Sequence, residues 1–248
     1  DGEMPHPWNE WFIEGNTQQW SPFAPHNLTG VAALYPSDAA YLATLATLQA
    51  DQTLWPFGTA LPNFAYWAGN EPDILVPWQM AVATGGAVTG GGAAATQKWT
   101  RWLLETYYTT SFDGVPGNDD YGALSAWALF AALGVYPVAG TTDYVLGSPR
   151  FNATVSIPAA PWLLVPSGGG GGCGGGGSNG TVPVLRVVAY NGSDAANVYV
   201  QRAAVDGAAV ASAVVSHATL GPASGGGGSG EAVVEVWLGP QPVASRSG

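Results

Sequence analysis

The hydrophobic pattern of this chain changes after Pro137, and this change constrains the fold more strongly than any other feature. Before Pro137, apolar side chains recur at spacings of three and four residues, which is typical of helices that pack on one face. After Pro137, short segments rich in β-branched residues are separated by Gly, Pro and Asn, as in strands joined by turns. The sequence therefore predicts an α+β protein with a helical domain at residues 1–140 and an all-β domain at residues 141–248.

The same pattern predicts the individual elements. Helices are expected at residues 28–49, 74–83, 96–109 and 124–133, and strands at residues 144–146, 153–157, 163–165, 184–190, 197–203, 209–216 and 232–238. Ser37 or Asp38 should cap the first long helix, and Pro72 should occupy the first turn that leads into the second. The remaining features are a hairpin turn of the Asp-Gly type at residues 205–208 and glycine-rich flexible loops at residues 168–177 and 225–228.

Charge and composition limit the kinds of ligand this chain can bind. A net charge of −11 with only six Lys and Arg residues argues against nucleic acid, because phosphate binding needs clustered basic groups. No apolar run approaches the roughly 18 residues that a membrane span requires. The single cysteine, Cys173, excludes an intrachain disulfide. Acidic groups among 11 Trp and 10 Tyr residues suit a neutral polyhydroxylated ligand such as a sugar, or a cation.

Three loops combine acidic residues with Gly and Asn next to predicted helices. They contain Glu14 in FIEGN, Glu71 in AGNEPD, and Asp119-Asp120 in PGNDD. Carboxylates can bind sugar hydroxyls while nearby aromatic rings stack on the apolar side of a sugar ring, so the loops are candidates for a sugar-binding cleft. Two simpler interpretations stay open: the aromatic residues form core, and the Asp pair caps the helix that follows.

Four blocks of sequence carry a more specific signal. They are FIEGNTQQWSPFAPHN, YWAGNEPDILVPW, TQKWTRWLLETYY and GVPGNDDYGALSAWALFAALGVYPV. In this order they resemble the calcium-dependent exo-α-mannosidases of glycoside hydrolase family 92. The strand-rich tail, including YVLGSPRFNATVSI and EVWLGPQP, is similar to the closing strands of that family.

The resemblance implies both a fold and a reaction. The fold would be the C-terminal half of an (α/α)6 helical barrel followed by β-sandwich strands, and the reaction would be removal of terminal α-linked mannose with inversion. Glu14 maps onto the family's general acid and Asp120 onto its general base, with Asp119 as a further catalytic candidate. Inversion requires the two carboxyl groups to lie roughly 6.5–9.5 Å apart, which leaves room for the attacking water.

The resemblance also implies residues that bind the sugar and the metal. The substrate-binding candidates are Trp20, His26, Trp67, Asn70 and Glu71, and the candidate ligands of Ca²⁺ are Asn16, Glu71 and Asp119. A hydrogen-bonded structural role remains the alternative for His26. The chain departs from the family pattern at Asn118, where other members carry an acid, and in residues 17–20, where other members are more aromatic.

Several expectations concern the whole protein. The first residues resemble the interior of a longer chain, so we expect a C-terminal portion whose partner is the missing N-terminal part. Sequons at Asn27, Asn152, Asn179 and Asn191 favour the secretory pathway, with an extracellular or cell-surface location. Two other functions stay open: a different (α/α)6 glycosidase, such as a glucosidase or trehalase-like enzyme, and an inactive carbohydrate-binding remnant.

Overall fold

The computed structural model describes residue 12 and residues 15–51, 66–83, 86–150, 155–158, 184–220 and 231–243. In these ranges helices come first and strands follow, as the pattern around Pro137 predicts, except for one short helix that lies between two strands. The helices are α1 Thr17–Trp20, α2 Leu28–Ala32, α3 Asp38–Asp51, α4 Glu71–Ile74, α5 Val76–Ala83, α6 Gly91–Tyr107, α7 Ala123–Leu133 and α8 His217–Leu220. None of these described helices is both long enough and apolar enough to cross a membrane.

The strands form two sheets. The strands are β1 Val135–Pro137, β2 Asp143–Leu146, β3 Val155–Pro158, β4 Val184–Tyr190, β5 Tyr199–Val205, β6 Ala208–Val210, β7 Val214–Ser216 and β8 Glu231–Gly239. One sheet has the order β1-β2-β7 and is antiparallel, and the other has the order β3-β4-β8-β5-β6. In the larger sheet β4 and β8 are parallel, whereas the other neighbours are antiparallel.

Prolines divide two of the predicted helices. The segment 28–49 contains two helices, α2 and α3, because Pro36 has no N–H and disfavours helical geometry in the residue before it. Helix α3 begins after Ser37, whose Oγ accepts a hydrogen bond of 3.2 Å from the Ala40 N–H, so the predicted cap is confirmed at Ser37. In the second predicted helix, Pro77 has no N–H to donate to the carbonyl of Asp73, and α4 and α5 are separate.

Helix α6 begins earlier than predicted. The sequence pattern predicts a start at Thr96, but the helix begins at Gly91. Alanine has the highest helix propensity, and both Gly92 and Ala93 are buried. The small side chains therefore allow the start of α6 to pack closely in the interior, which the composition alone did not reveal.

The predicted strand at residues 209–216 is wrong as a single element. Strands β6 and β7 belong to different sheets, because the residues between them pair with the segment before α6. The Val88 N–H donates to the Ala211 carbonyl (2.8 Å), and the Ala213 N–H donates to the Gly86 carbonyl (3.2 Å). The predicted strand at 163–165 and both glycine runs lie outside the described residues.

The predicted hairpin turn is confirmed. Asp206 and Gly207 have φ values of 50° and 77°, and Val205 pairs with Ala208 across the turn. Positive φ at both central residues is the geometry that favours an Asp-Gly sequence. The Asp206 carboxylate also accepts a hydrogen bond of 2.7 Å from the Val233 N–H, so the turn is tied to strand β8.

One buried hydrophobic cluster connects the helices and the sheets. Leu103 of α6, Val145 of β2 and Val236 of β8 all belong to it. The side chain of Gln97 adds a polar connection, since its Nε2 donates to the Val88 carbonyl (2.7 Å) and its Oε1 accepts from the Val200 N–H (3.0 Å). The division into domains at residues 1–140 and 141–248 stays a prediction.

Three planar side chains stack across the outer face of the larger sheet. The rings of Tyr190 and Trp237 lie 4.6 Å apart with an interplanar angle of 12°. The guanidinium carbon of Arg202 lies 3.6 Å from the centre of the Trp237 ring. Trp237 is therefore stacked between neighbours from β4 and β5, and this contact should stabilise the order of three strands.

We predict that Trp237→Ala lowers the free energy of unfolding by about 2 kcal/mol, because it removes an aromatic pair and a cation–π contact together. Chemical denaturation followed by circular dichroism measures this change. Tyr190→Phe is the matched control, because it keeps the stacked ring and removes only the exposed hydrogen bond to Glu235. An equal loss of stability in both variants would contradict the role of the stack.

Candidate active site

The loop that follows Glu14 is held by a reciprocal helix cap. Asn16 is buried, and its Oδ1 accepts hydrogen bonds from the N–H groups of Gln18 (2.9 Å) and Gln19 (3.1 Å). In return, the Oε1 of Gln19 accepts from the Asn16 N–H at 3.0 Å. This arrangement satisfies the free donors at the start of α1. The backbone two residues beyond Glu14 is therefore fixed, although Glu14 itself lies outside the described residues.

A buried carboxyl group connects this loop to the loop of residues 67–73. The Nε2 of Gln19 donates to Asp73 Oδ2 (2.9 Å), and the Trp67 N–H donates to the same oxygen (2.8 Å). Asp73 has no exposed surface, and its Oδ1 is buried without a hydrogen-bond partner. Burial raises the pKa of the Asp73 carboxyl well above its ordinary value, and the hydrogen bonds from Trp67 and Gln19 oppose that rise.

The loop of residues 67–73 also touches the acidic loop before α7. A Cβ atom added to Gly69 would lie 2.8 Å from the backbone nitrogen of Gly117, and one added to Gly117 would lie 2.5 Å from the Gly69 carbonyl oxygen. The two backbones are thus in direct contact, which only glycine permits. Gly117 has in addition a φ of 74°, a conformation that favours glycine. The described contacts thus connect the segment after Glu14 to the loop of residues 67–73, and that loop to the acidic loop before α7.

The two adjacent aspartates have different environments. Asp119 accepts hydrogen bonds from the Ser125 N–H (2.8 Å) and from the Ser125 hydroxyl (2.5 Å), and these bonds lower the pKa of its carboxyl. Asp120 is exposed, and no described hydrogen bond engages its carboxylate. The helix-cap interpretation that the sequence left open therefore fits Asp119, whereas Asp120 offers a carboxylate that solvent can reach.

The predicted sugar-binding residues occupy several different positions. Trp20 is half-buried. A Cβ atom added to Gly15 would lie 2.8 Å from the ring nitrogen of Trp20, so the indole covers the residue after Glu14. Asn70 is buried at the start of α4, and Glu71 is half-buried in its first turn. Trp67 is half-buried in the same loop. These four residues therefore lie on the joined loops.

His26 is placed differently from the other substrate-binding candidates. His26 is exposed, and a Cβ atom added to Gly140 would lie 3.1 Å from its Cβ. Gly140 belongs to the turn between β1 and β2. The described contacts therefore connect His26 to this turn, and none of them joins it to the three loops.

Two of the aromatic residues near the acidic loops are core residues. Trp127 is buried, and its indole N–H donates to the Ile74 carbonyl at 2.8 Å. Trp78 is also buried, and its ring stacks on that of Tyr136 with the centroids 4.6 Å apart. The simpler interpretation of aromatic residues as core applies to this pair. Trp8 and Trp11 lie outside the described residues.

The residues expected to bind Ca²⁺ offer only carboxylate and amide oxygens, which suit this ion. Asn16 and Glu71 lie on the two loops that Gln19 and Asp73 connect. The oxygens of Asp119 accept hydrogen bonds from Ser125, and the Oδ1 of Asn16 accepts two from the backbone, so a metal would have to share these oxygens. In the described part of the chain no group of three or more His, Cys, Asp or Glu residues is placed to hold a metal ion.

The sequence analysis missed Asp73 and Gln19. Asp73 stands in the AGNEPD block, but nothing in the local sequence shows that its carboxyl group is buried. Gln19 was noted only as part of a departure from the family pattern. The signal that joins them is a hydrogen bond between residues far apart in sequence, and spacing along the chain cannot show such a pair.

Comparisons with known proteins identify a family and a related glycosidase. The sequence profile of the glycosyl hydrolase family 92 catalytic domain matches residues 2–227. A protein from Arthroderma benhamiae, described as an uncharacterized secreted glycosidase, is 26% identical over 185 residues. The match covers 75% of this chain and 19% of that protein, so the chain spans about a fifth of the length of this relative.

Solved structures of the same family share the fold. A family GH92 α-mannosidase from Bacteroides thetaiotaomicron, in complex with mannoimidazole, matches with a TM-score of 0.68 and 20% identity over 93% of this chain and 26% of that one. A family GH92 inverting mannosidase from Bacteroides thetaiotaomicron VPI-5482 matches with a TM-score of 0.64 and 19% identity over 98% of this chain and 29% of that one. The chain therefore corresponds to about a quarter of these proteins.

We predict that Asp119→Ala lowers the free energy of unfolding by about 1 kcal/mol, because it removes the hydrogen bonds that cap α7. Asp120→Ala is the matched control, and we expect it to leave stability unchanged because its carboxylate makes no described hydrogen bond. Urea denaturation of both variants measures the difference. Equal stability of the two variants would show that Asp119 does not cap the helix.

Proposed function

The chain belongs to glycosyl hydrolase family 92, and on this basis we propose that its protein removes terminal α-linked mannose with inversion. Membership in this family confirms the resemblance that was inferred from the four sequence blocks. The proposal is supported by two family structures described as mannosidases, one of them inverting. Since the chain spans about a quarter of those proteins, the activity of the whole protein is inferred from the family and from the residues that this portion contains.

The contact between Gly69 and Gly117 is the observation that carries the proposal. Through this contact the loop of Asn70 and Glu71 lies directly beside the loop of Asp120. Asp73 and Gln19 connect the former loop to the segment that follows Glu14. An inverting glycosidase needs an acid and a base on opposite sides of the scissile bond, and the joined loops carry one candidate for each role.

In the proposed mechanism Glu14 donates a proton to the oxygen of the leaving group, and Asp120 accepts a proton from the attacking water. The exposure of Asp120 is consistent with a base that must contact water. Trp20, which covers Gly15, would shield the acid from solvent, and an apolar setting keeps a carboxyl group protonated. Asn70 and Glu71 would bind sugar hydroxyls with their amide and carboxylate groups.

The family resemblance also supports a Ca²⁺ ion at this site. Oxygen atoms of Asn16 and Glu71 would hold it, with Asp119 as a third candidate. A bound Ca²⁺ would supply coordination to the sugar hydroxyls and help to distort the ring. Asn16 would have to share or give up a cap bond to bind the ion, because its Oδ1 already accepts two backbone hydrogen bonds.

We further propose that the described helices form the C-terminal half of an (α/α)6 barrel and that the strands belong to a β-sandwich. The structural similarity over nearly the whole chain to two family structures supports this arrangement. The N-terminal half of the barrel is then the expected partner of this portion. A location in the secretory pathway is supported by the relative described as secreted and by exposed sequons at Asn27 and Asn191.

We predict that Asp120→Asn and Glu14→Gln each lower kcat for an aryl α-mannoside by about 10²–10⁴-fold, because each removes a proton-transfer group. The complete gene product is assayed by release of the chromophore. Asp113→Asn is the control, since it changes an exposed acid earlier in the same loop and should keep full activity. Sugar binding without any turnover by the unmodified protein would instead favour a carbohydrate-binding remnant.

Removal of calcium is expected to abolish the release of mannose. The measurement is the rate on α-mannoside and α-glucoside substrates before and after EDTA, followed by addition of CaCl₂ or MgCl₂. We expect activity on the mannoside alone, its loss in EDTA and its recovery with Ca²⁺ but not Mg²⁺, because a flexible set of carboxylate and amide oxygens favours the larger ion. Faster turnover of the glucoside would support the glucosidase or trehalase-like alternative.

A further inference from the structure

We propose that Gly69 and Asp73 are positioning residues that together set the distance between the proposed acid and the proposed base. Both belong to residues 67–73, which we call the bridging loop. This inference rests on the proposed function, since it concerns the placement of Glu14 and Asp120. Neither Gly69 nor Asp73 needs to touch the substrate to have this effect.

The Asp73 end of the bridging loop fixes the segment after Glu14. One oxygen of the Asp73 carboxylate accepts hydrogen bonds from the Trp67 N–H and from Gln19 Nε2. The Oε1 atom of the same Gln19 amide accepts a hydrogen bond from the Asn16 N–H. Asn16, Gln19 and Asp73 are all buried, so water cannot replace these bonds when one of them is lost. A displacement of Asp73 is therefore passed through Gln19 to Asn16, two residues after Glu14.

The Gly69 end of the bridging loop fixes the loop that carries Asp120. The added-Cβ distances of 2.8 Å and 2.5 Å are shorter than real Cβ contacts, and an ordinary contact begins at 3.4 Å. Any side chain at Gly69 must therefore push the two backbones apart. Gly69 does not have a positive φ, so alanine fits its backbone conformation and would act through this steric contact alone.

The bridging loop is held internally, so its two ends do not move independently. The Asn70 N–H donates to the Trp67 carbonyl (3.1 Å), and the Asp73 N–H donates to the Asn70 carbonyl (3.0 Å). Below the loop, the Trp127 indole N–H donates to the Ile74 carbonyl (2.8 Å). Since Trp127 lies on α7, the helix that follows Asp120, this bond ties the residue after the bridging loop to that helix.

The first test is Gly69→Ala in the complete gene product. We expect kcat for an aryl α-mannoside to fall about 10²-fold with KM changed less than about threefold, because a displacement near 1 Å disturbs the reacting geometry more than it disturbs binding. Gly147→Ala is the matched control: its added Cβ would lie 2.9 Å from the buried Trp78 ring, a similar clash with a core side chain rather than between two loop backbones. It should lose stability but keep kcat.

The second test compares two substitutions at Asp73. Asp73→Asn keeps an oxygen that can accept from Trp67 and Gln19, so kcat should stay within about fivefold, whereas Asp73→Ala removes both bonds and should lower kcat about 10²-fold. All rates are measured well below the melting temperature of each variant. The positioning role would be overturned if activity fell in proportion to the loss of stability in the same way in all three variants, Gly69→Ala, Asp73→Ala and Gly147→Ala.

A readout without catalysis separates this inference from the proposed function. In Gly69→Ala, hydrogen exchange measured by mass spectrometry should become faster in peptides covering residues 15–20 and 114–122, and in Gly147→Ala it should stay unchanged there. If Gly69→Ala shows this faster exchange but the unmodified protein has no mannosidase activity, the bridging role is retained and the proposed activity is rejected. Faster exchange confined to residues 66–74 would reject the bridging role itself.

Discussion

A carboxyl group with no exposed surface holds two loops of this protein together. Asp73 is buried at a cost in free energy that its two hydrogen bonds offset only in part, since one oxygen has no partner. The same oxygen that accepts from Trp67 also accepts from Gln19. This interaction helps to hold the Asn16 loop, which follows Glu14, against the loop of residues 67–73.

Close packing of glycine backbones supplies the second half of the arrangement. Gly69 and Gly117 allow two loops to approach more closely than any side chain permits. Loops positioned by a rigid scaffold commonly carry function, and here helices α4 and α7 supply the scaffold through the hydrogen bond from Trp127. One short loop thus joins the two segments that carry the proposed catalytic carboxyl groups.

Much of the fold could be predicted from the sequence, because helix α7, strand β4 and the turn at Asp206-Gly207 are determined by local pattern. The errors arose where tertiary contacts overrode that pattern, as at residues 211–213, which pair with the segment before α6. For the site, local composition identified the three loops. It could not reveal that Asp119 binds Ser125 or that Asp73 binds Gln19, because both depend on folded geometry.

The most direct test of the account is the distance between the carboxyl groups of Glu14 and Asp120 in a crystal structure of the complete gene product with a mannose-like inhibitor. The joined loops predict that the two groups face each other across the sugar, roughly 6.5–9.5 Å apart. This placement would be contradicted if the two carboxyl groups lay on opposite sides of the molecule, or if either one formed an ion pair that excludes water.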